Sequence, residues 1–159
     1  MTAKERLAEL GIQLPEAPAP LASYVPARIV PLGGGRSLVF VAGQVPIRDG
    51  TLDAAYVGRV PDEVDVESAR EAAKVCALNL LAQVDAAGGL DAVEQVASVT
   101  GYVRSATGFA EQPQVINAAS DLLSEVLGDA GKHSRAAVGV AELPRGVAVE
   151  IAAIFVIRS

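Results

Sequence analysis

Two charged residues lie within the strand-like parts of a mostly apolar stretch, SRAAVGVAELPRGVAVEIAAI (residues 134–154). Arg135 stands near its start and Glu150 near its end. A guanidinium group holds a carboxylate through two parallel hydrogen bonds. A glutamate whose pKa is raised by burial transfers protons as a general acid or base. The pair therefore indicates a site that binds a small anionic molecule and moves protons on it.

The elements that would position this pair are two strands, predicted over residues 134–141 and 147–157 and joined by a tight LPRG turn. If the strands pair as a hairpin, alternation puts Arg135 and Glu150 on one face, among alanine and glycine, about 14 Å apart. Such a hollow face fits a small ligand or another subunit. A one-residue bulge would place the charges on opposite faces. Ordinary pairing of both charges with other surface groups is the alternative.

The remaining pattern predicts an α+β fold, in which a single mixed sheet carries two long helices on one face. Apolar residues at three- and four-residue steps predict helices over 65–87 and 111–128, and VEQVASVTGYVRS predicts a strand between them. Two further strands flank the glycine run at 33–35, which we interpret as a hairpin turn and not as a phosphate-binding loop. We expect one domain over residues 1–159, beginning with a short helix and a proline-rich connector within residues 1–20.

The composition excludes several classes of protein. The chain has 159 residues and a net charge of −6, without the basic stripe of nucleic-acid-binding proteins. One cysteine rules out an internal disulfide framework and most cysteine-based metal sites. The charged N-terminus is not typical of a signal peptide, and no apolar run reaches the length of a membrane span. We therefore expect a soluble, cytoplasmic protein.

Two further residues, Cys76 and His133, each allow more than one interpretation of their role. Cys76 lies on the apolar stripe of the first long helix, which favours a small buried side chain over a nucleophile. His133 is the only histidine; we interpret it as a loop or pocket-rim residue in preference to a general base.

Several motifs together resemble the Rid family (the YjgF-like proteins), from about residue 20 onward. The stretch 134–154 is similar to the family's arginine-containing strand, Leu-Pro turn and Val-Glu-Ile strand. AGQVP (42–46) resembles its Ser-Gly-Gln-Ile/Val-Pro segment, and SYVP (23–26) its Pro-Tyr-Ser-Gln segment. The resemblance implies a homotrimer with sheets inward and sites between subunits, acting on small carboxylate substrates as an enamine or imine deaminase.

The resemblance also implies site roles. Arg135 would clamp the substrate carboxylate and Glu150 would act on water, while Tyr24 and Gly43 would line the pocket. Phe109 and Asn117 are looser matches to pocket residues near the second helix. Ala137 replaces a frequent cysteine that acts largely through its backbone, and His133 replaces a proline. These departures indicate a divergent member.

The implied reaction is hydrolysis of 2-imino or enamine acids, such as 2-iminobutanoate and 2-iminopropanoate, to 2-keto acids and ammonia. This reaction implies no metal or cofactor. A trimer that binds small carboxylates as a sensor or chaperone without turnover is the alternative. An endoribonuclease, a description some family members carry, ranks third. The acidic balance and the shortage of aromatic side chains argue against nucleic acid as a partner.

Overall fold

A computed structural model of the protein describes residues 1–159. Its helices are α1 (Ala3–Glu9), α2 (Val66–Gly88) and α3 (Gln112–Leu127). Its strands are β1 (Ala27–Gly33), β2 (Arg36–Gln44), β3 (Ile47–Arg48), β4 (Thr51–Leu52), β5 (Val93–Arg104), β6 (Ser134–Val140) and β7 (Val149–Arg158).

Five strands form one mixed sheet in the order β1-β2-β7-β5-β6, and β3 pairs with β4 in a separate small hairpin. Neighbours in the main sheet are antiparallel, except that β5 and β6 are parallel. Alternate residues of β7 are buried beneath α2, and α3 packs beside α2 against β5 and β6, so that the two helices cover one face of the sheet. The other face, called here the open face, carries no helix. The predicted α+β architecture is confirmed.

The two long helices begin and end within a residue of the predicted positions because their end signals are local. Asp65 caps α2, its side chain accepting a hydrogen bond from the backbone N–H of Ser68. Pro113 lies in the first turn of α3, where its missing N–H costs nothing. Gly128 follows α3 with a φ of 64°, a conformation that glycine adopts readily.

The predicted hairpin between residues 134–141 and 147–157 is wrong. β5 lies between β6 and β7, so Val99 of β5 pairs with Arg135 on one side and Ala153 on the other. The cause is the crossover β5–α3–β6, which places β6 parallel to β5 along one edge. β7 then pairs with the other edge of β5, and the segment that contains the LPRG turn crosses the end of β5 to connect β6 with β7.

The predicted common face for the two charges is wrong for the same reason. Residues paired across strands share a face, so Arg135 lies with buried Val99 on the helix-covered face. Glu150 pairs with Tyr102 and lies on the open face. Val138 also lies on the open face and is 42% exposed. Ala137 and Gly139, which were predicted to accompany Glu150, take the helix side with Arg135.

The N-terminal segment lies against the rest of the protein by specific contacts. α1 packs on α3 and buries Leu7. The connector, defined here as residues 13–26, contains no regular helix or strand. It is held by hydrogen bonds to the backbone oxygens of Gln13 and Pro18, and the oxygen of Pro26 accepts a bond from the N–H of Ala42.

The main apolar core contains 32 buried residues, most of them from α1, α2, α3 and the main sheet and a few, such as Val60 and Val64, from the connecting segments. None of the helices combines the length and the hydropathy that crossing a membrane requires.

Candidate functional site

Glu150 lies on β7 with its carboxyl group against Gly43 of β2. A Cβ atom added to Gly43 would stand 2.8 Å from Oε2 of Glu150 and 2.9 Å from its Cδ. The pairing of β2 with β7 shifts between Val41 and Gln44, which is a β-bulge beside the glutamate. Gly43 therefore allows the carboxyl group to lie against the backbone of β2, because a side chain at this position would push the carboxyl group aside.

The carboxyl group of Glu150 is partly buried, and burial raises its pKa above the ordinary value for glutamate. Burial is the only cause of the shift, so no cation of the same chain offsets it. Removal from water disfavours the charged form of a carboxyl group. Glu150 therefore exchanges its proton at a pH closer to neutral than an exposed glutamate does, as general acid–base chemistry requires.

A pocket of about 700 Å³ opens in front of this carboxyl group. Tyr24 forms one wall, and its hydroxyl oxygen accepts a hydrogen bond from the backbone N–H of Leu21 at 3.1 Å. The structure thus brings together three of the predicted site residues, Tyr24, Gly43 and Glu150. The lining of this Glu150 pocket comprises Leu21, Ala22, Tyr24, Ala42, Gly43, Val45, Pro144, Arg145 and Glu150.

Arg145 is a pocket residue that the sequence analysis did not identify. It lies in the LPRG turn with a φ of 57°, in the left-handed region that non-glycine residues seldom adopt. Arg104 holds this turn by donating a hydrogen bond from Nη1 to the backbone oxygen of Gly146 at 3.2 Å. The sequence contained a signal, since a polar residue at the centre of a turn between two functional strands is well placed to reach a site.

Arg135 projects from the edge strand β6 onto one face of α3. Its Nη2 donates to Oδ1 of Asn117 at 2.7 Å and to the backbone oxygen of Pro113 at 3.2 Å. Its Nη1 donates to Oγ of Ser120 at 3.0 Å. These positions on α3 are four and three residues apart, so they share one face of the helix. Three of the five N–H hydrogens of the guanidinium are engaged, which leaves two for a ligand.

A chain of hydrogen bonds continues from Arg135 to His133. Oγ of Ser120 lies 2.9 Å from Nε2 of His133, and Nδ1 of His133 lies 2.6 Å from the backbone oxygen of Gly131. A backbone oxygen only accepts, so Nδ1 carries a proton, and in a neutral ring Nε2 accepts from the serine hydroxyl. His133 is thus a loop residue that supports the arginine through Ser120. We call Arg135, Asn117, Ser120 and His133 the Arg135 cluster.

Two looser candidates also lie on the side of the Arg135 cluster. Ala137 is two residues along β6, and its side chain packs on the core. Phe109 precedes α3, packs on the core, and accepts a hydrogen bond at its backbone oxygen from Gln112 at 2.8 Å. Neither residue lines the Glu150 pocket.

Within one chain the Arg135 cluster and the Glu150 pocket are separate. Arg135 and Glu150 stand two strands and three residue steps apart, about 14 Å between Cα atoms, on opposite faces of the sheet. β6 is an edge strand, so the Arg135 cluster lies at the border of the sheet. A single copy therefore does not present both groups to one small molecule.

Cys76 is fully buried in α2, and its Sγ lies 3.8 Å from the backbone oxygen of Val149. Burial, with a smaller contribution from the charge of Glu150, raises the pKa of the thiol well above its usual value. The interpretation of this cysteine as a buried apolar side chain is confirmed, since a thiol that remains protonated is a poor nucleophile. No three His, Cys, Asp or Glu side chains are grouped so that they could hold a metal ion.

Comparison with known proteins gives a consistent result. The family described as "YjgF/chorismate mutase-like, putative endoribonuclease" matches residues 4–151. Protein TCP17 of Trypanosoma cruzi is 41% identical over 150 residues, which is 93% of this chain and 89% of that protein.

Solved structures agree with the sequence comparison. Atu1372 of Agrobacterium tumefaciens is 45% identical with a TM-score of 0.84, covering 98% of this chain and 92% of the other. E. coli TdcF, solved with bound serine, is 28% identical with a TM-score of 0.63, covering 91% and 94%. The resemblance drawn from the motifs is confirmed: the chain belongs to the YjgF family of Rid-like proteins.

Proposed function

We propose that the protein hydrolyses 2-imino acids to 2-keto acids and ammonia, at a site formed where two copies of the chain meet. The observation that carries the proposal is the carboxyl group of Glu150. It is partly buried without a partner cation, has a raised pKa, and faces a pocket walled by Tyr24. A carboxyl group that only served stability would be exposed or paired.

The reaction needs two proton transfers that one carboxyl group can perform. Glu150 removes a proton from water as the water oxygen bonds to the imine carbon. The C=N π pair moves to nitrogen, which takes a proton, and a carbinolamine forms. Glu150 next takes the proton of the remaining hydroxyl group and delivers it to the amino nitrogen, so that the C–N bond breaks, ammonia leaves, and the hydroxyl oxygen becomes the keto oxygen. General acid–base assistance of this kind contributes about 10²- to 10⁴-fold.

Arg135 would hold the substrate carboxylate with the N–H groups that α3 leaves unused. Asn117 and Ser120 fix the guanidinium, so little of its conformational entropy is lost on binding. The position of Ala137, next but one on β6, allows its backbone to approach the same carboxylate. TdcF, which was solved with bound serine, is a relative that takes a small molecule bearing a carboxylate.

The second copy is required because the two groups lie on opposite faces of the sheet in one chain. On the open face Phe40, which is 42% exposed, pairs with the partly buried Ile154 of β7, and Val138, also 42% exposed, lies two strands away from β7 on β6. An apolar sheet face of this kind is typical of a covered surface. We propose a homotrimer, as the family resemblance implies, in which the Arg135 cluster of one copy completes the Glu150 pocket of the next. A cytoplasmic location, the absence of a cofactor and the absence of a nucleic-acid partner stay predictions.

One observation favours a second function, the binding of small carboxylates without turnover. Arg135 is separate from Glu150 within the chain, so catalysis depends wholly on assembly whereas carboxylate binding at Arg135 does not. A trimer with a different arrangement would retain carboxylate binding at Arg135 and lack a nearby base. The two functions differ in whether Glu150 affects a rate.

The test uses 2-iminobutanoate generated from 2-aminobutyrate by an amino-acid oxidase, with catalase to remove peroxide, and follows 2-oxobutanoate formation. We expect wild-type protein to accelerate hydrolysis, Arg135→Ala to lose the acceleration through binding, and Glu150→Gln to lose rate while still binding 2-oxobutanoate. Arg36→Ala and Glu125→Gln, surface changes of matched type outside both regions, serve as controls. Equal rates for wild type and both site variants would reject the deaminase and favour binding alone.

A further inference from the structure

A second cavity, of about 380 Å³, lies beneath the connector and continues from the Glu150 pocket. The two share five lining residues, namely Leu21, Tyr24, Gly43, Val45 and Arg145. We call this space the connector cavity. Since Gly43 and Tyr24 border both spaces, the connector cavity lies next to the pocket in front of Glu150.

The roof of the connector cavity is held in place by three side chains of the body of the protein. Gln83 of α2 donates from Nε2 to the backbone oxygen of Pro18 at 2.6 Å. Oδ1 of Asp49 accepts from the backbone N–H of Glu16 at 3.2 Å, and Arg48 donates to the backbone oxygen of Gln13 at 3.3 Å. The cavity is therefore formed before a ligand arrives, which lowers the entropy cost of binding.

The connector cavity has an apolar wall that suits an uncharged chain, and its charged lining residues, Glu16, Asp49 and Arg145, are exposed. Its apolar wall is built from Pro18, Pro20, Leu21, Val45 and Ile47. The buried amide groups at its base are engaged with each other and with backbone oxygens: Gln44 donates to Ala42, and Gln83 to Pro18 and Gln44. Because these amides already have partners, the base of the cavity adds contact area more than it adds polar recognition.

We propose that the connector cavity binds the side chain of the substrate and that the preferred substrates are 2-imino acids with long, uncharged side chains. This inference rests on the proposed function. With the substrate carboxylate at Arg135 of a second copy and the imine carbon at Glu150, the side chain extends past Gly43 beneath the connector. The 2-iminopropanoate side chain, a single methyl group, would leave the cavity unused.

The test compares a linear series of imines, generated from alanine, 2-aminobutyrate, norvaline and norleucine, on the full-length protein. For wild type we expect kcat/KM to rise by up to about fourfold for each added methylene group that is buried. A flat series, or one that falls with length, would overturn the proposal.

Two variants fill the cavity and one serves as a control. Ala17 and Ala19 line the connector cavity but not the Glu150 pocket, so Ala17→Trp and Ala19→Trp block the side chain alone. We expect each to reduce the norleucine imine rate at least about tenfold and the alanine imine rate less than twofold. Ala8→Trp, on the exposed side of α1, should change neither. Equal loss for short and long imines would contradict the assignment.

Binding of unreactive acids separates this inference from the proposed function. If no imine is hydrolysed, the proposed function fails, and calorimetry with 2-oxobutanoate and 2-oxohexanoate still tests the cavity. Tighter binding of the longer acid to wild type, lost in Ala17→Trp and kept in Ala8→Trp, supports the assignment. Equal affinity of wild type for both acids, or no binding of either, rejects it.

Discussion

The charged groups of the Arg135 cluster and the Glu150 pocket differ in how many partners they have within the chain. Arg135 has three acceptors on α3, and a further pair of hydrogen bonds continues through Ser120 and His133. Glu150 has no partner cation, and burial raises its pKa. A group held by many partners suits orientation, whereas a bare carboxyl group suits proton transfer. The Arg135 cluster is therefore suited to orienting a ligand and the Glu150 pocket to proton transfer, and the two regions are separate within one chain.

The largest expected effect is the return of activity when two inactive variants are combined in one assembly. Arg135→Ala retains an intact Glu150 pocket, and Glu150→Gln retains an intact Arg135 cluster, so mixed assemblies rebuild some complete sites. For a trimer mixed at random in equal amounts, about a quarter of wild-type activity returns, because three quarters of the assemblies are mixed and each has one complete site in three. The measurement co-expresses the two variants with different tags and assays the purified hybrid. An inactive hybrid would show that both groups act within one copy.

A smaller loss is expected when a methyl group is added under the carboxyl group. In Gly43→Ala the new Cβ overlaps the Glu150 carboxyl group and displaces it. We expect kcat to fall on the order of 10- to 100-fold, since displacement by about 1 Å has effects of that size. Binding of 2-oxobutanoate at Arg135 should change little. Unchanged kcat in a correctly folded variant would show that the position of the carboxyl group is not critical.

Weakening the support of Arg135 should have a modest effect on binding alone. Ser120→Ala removes one of three hydrogen bonds to the guanidinium, worth about 1 kcal/mol or roughly fivefold in affinity. We expect KM for 2-iminobutanoate and Kd for 2-oxobutanoate to rise by that factor while kcat stays within twofold. Ser120→Thr, which keeps the hydroxyl group, should restore both values, and Ser124→Ala on the same helix should change neither. A fall in kcat without a rise in KM would contradict a positioning role.

The smallest effect concerns stability and pH. Burial raises the pKa of Glu150 in the folded chain, so its ionised form is less favourable there than in the unfolded chain. The contribution of Glu150 to the free energy of unfolding is therefore most favourable below the ordinary glutamate pKa, and it is lost as pH rises through the raised pKa of the folded state. Glu150→Gln stays neutral, so we expect it to be more stable than wild type at pH 8 and to lose that advantage at pH 3.

Denaturant unfolding at constant protein concentration measures this difference, and Glu125→Gln on the exposed surface of α3 is the control. A stability difference that is the same at pH 3 and pH 8 would show that Glu150 is not strained by burial. The effect is modest because the group keeps part of its contact with water.

Local features of the sequence predicted the helices and most strands correctly. Asp65, Pro113 and Gly128 mark helix ends through their own backbone chemistry, and the spacing of apolar residues marks the buried faces. The glycine run after β1 likewise predicted a hairpin turn. These signals act within one turn or one strand, so no knowledge of distant contacts was needed.

These local signals did not predict the order of the strands in the sheet. The short LPRG turn favoured a hairpin, yet the crossover through α3 placed β6 beside β5 and moved Arg135 to the opposite face from Glu150. Ser120, Arg145 and the connector cavity were also missed, because each depends on contacts between elements far apart in sequence. Ser120 could have been found from its spacing of three residues from Asn117 on α3.

The sequence by itself determined the residue types that carry the chemistry, the ends of the helices and the family, since these depend on local spacing and side-chain identity. Only the tertiary structure decided which face of the sheet each charge occupies and which groups share a pocket. The physical reason is that alternation along a strand determines which of its own residues share a face. The order of the strands depends instead on which distant strands pair with the free edges of the sheet.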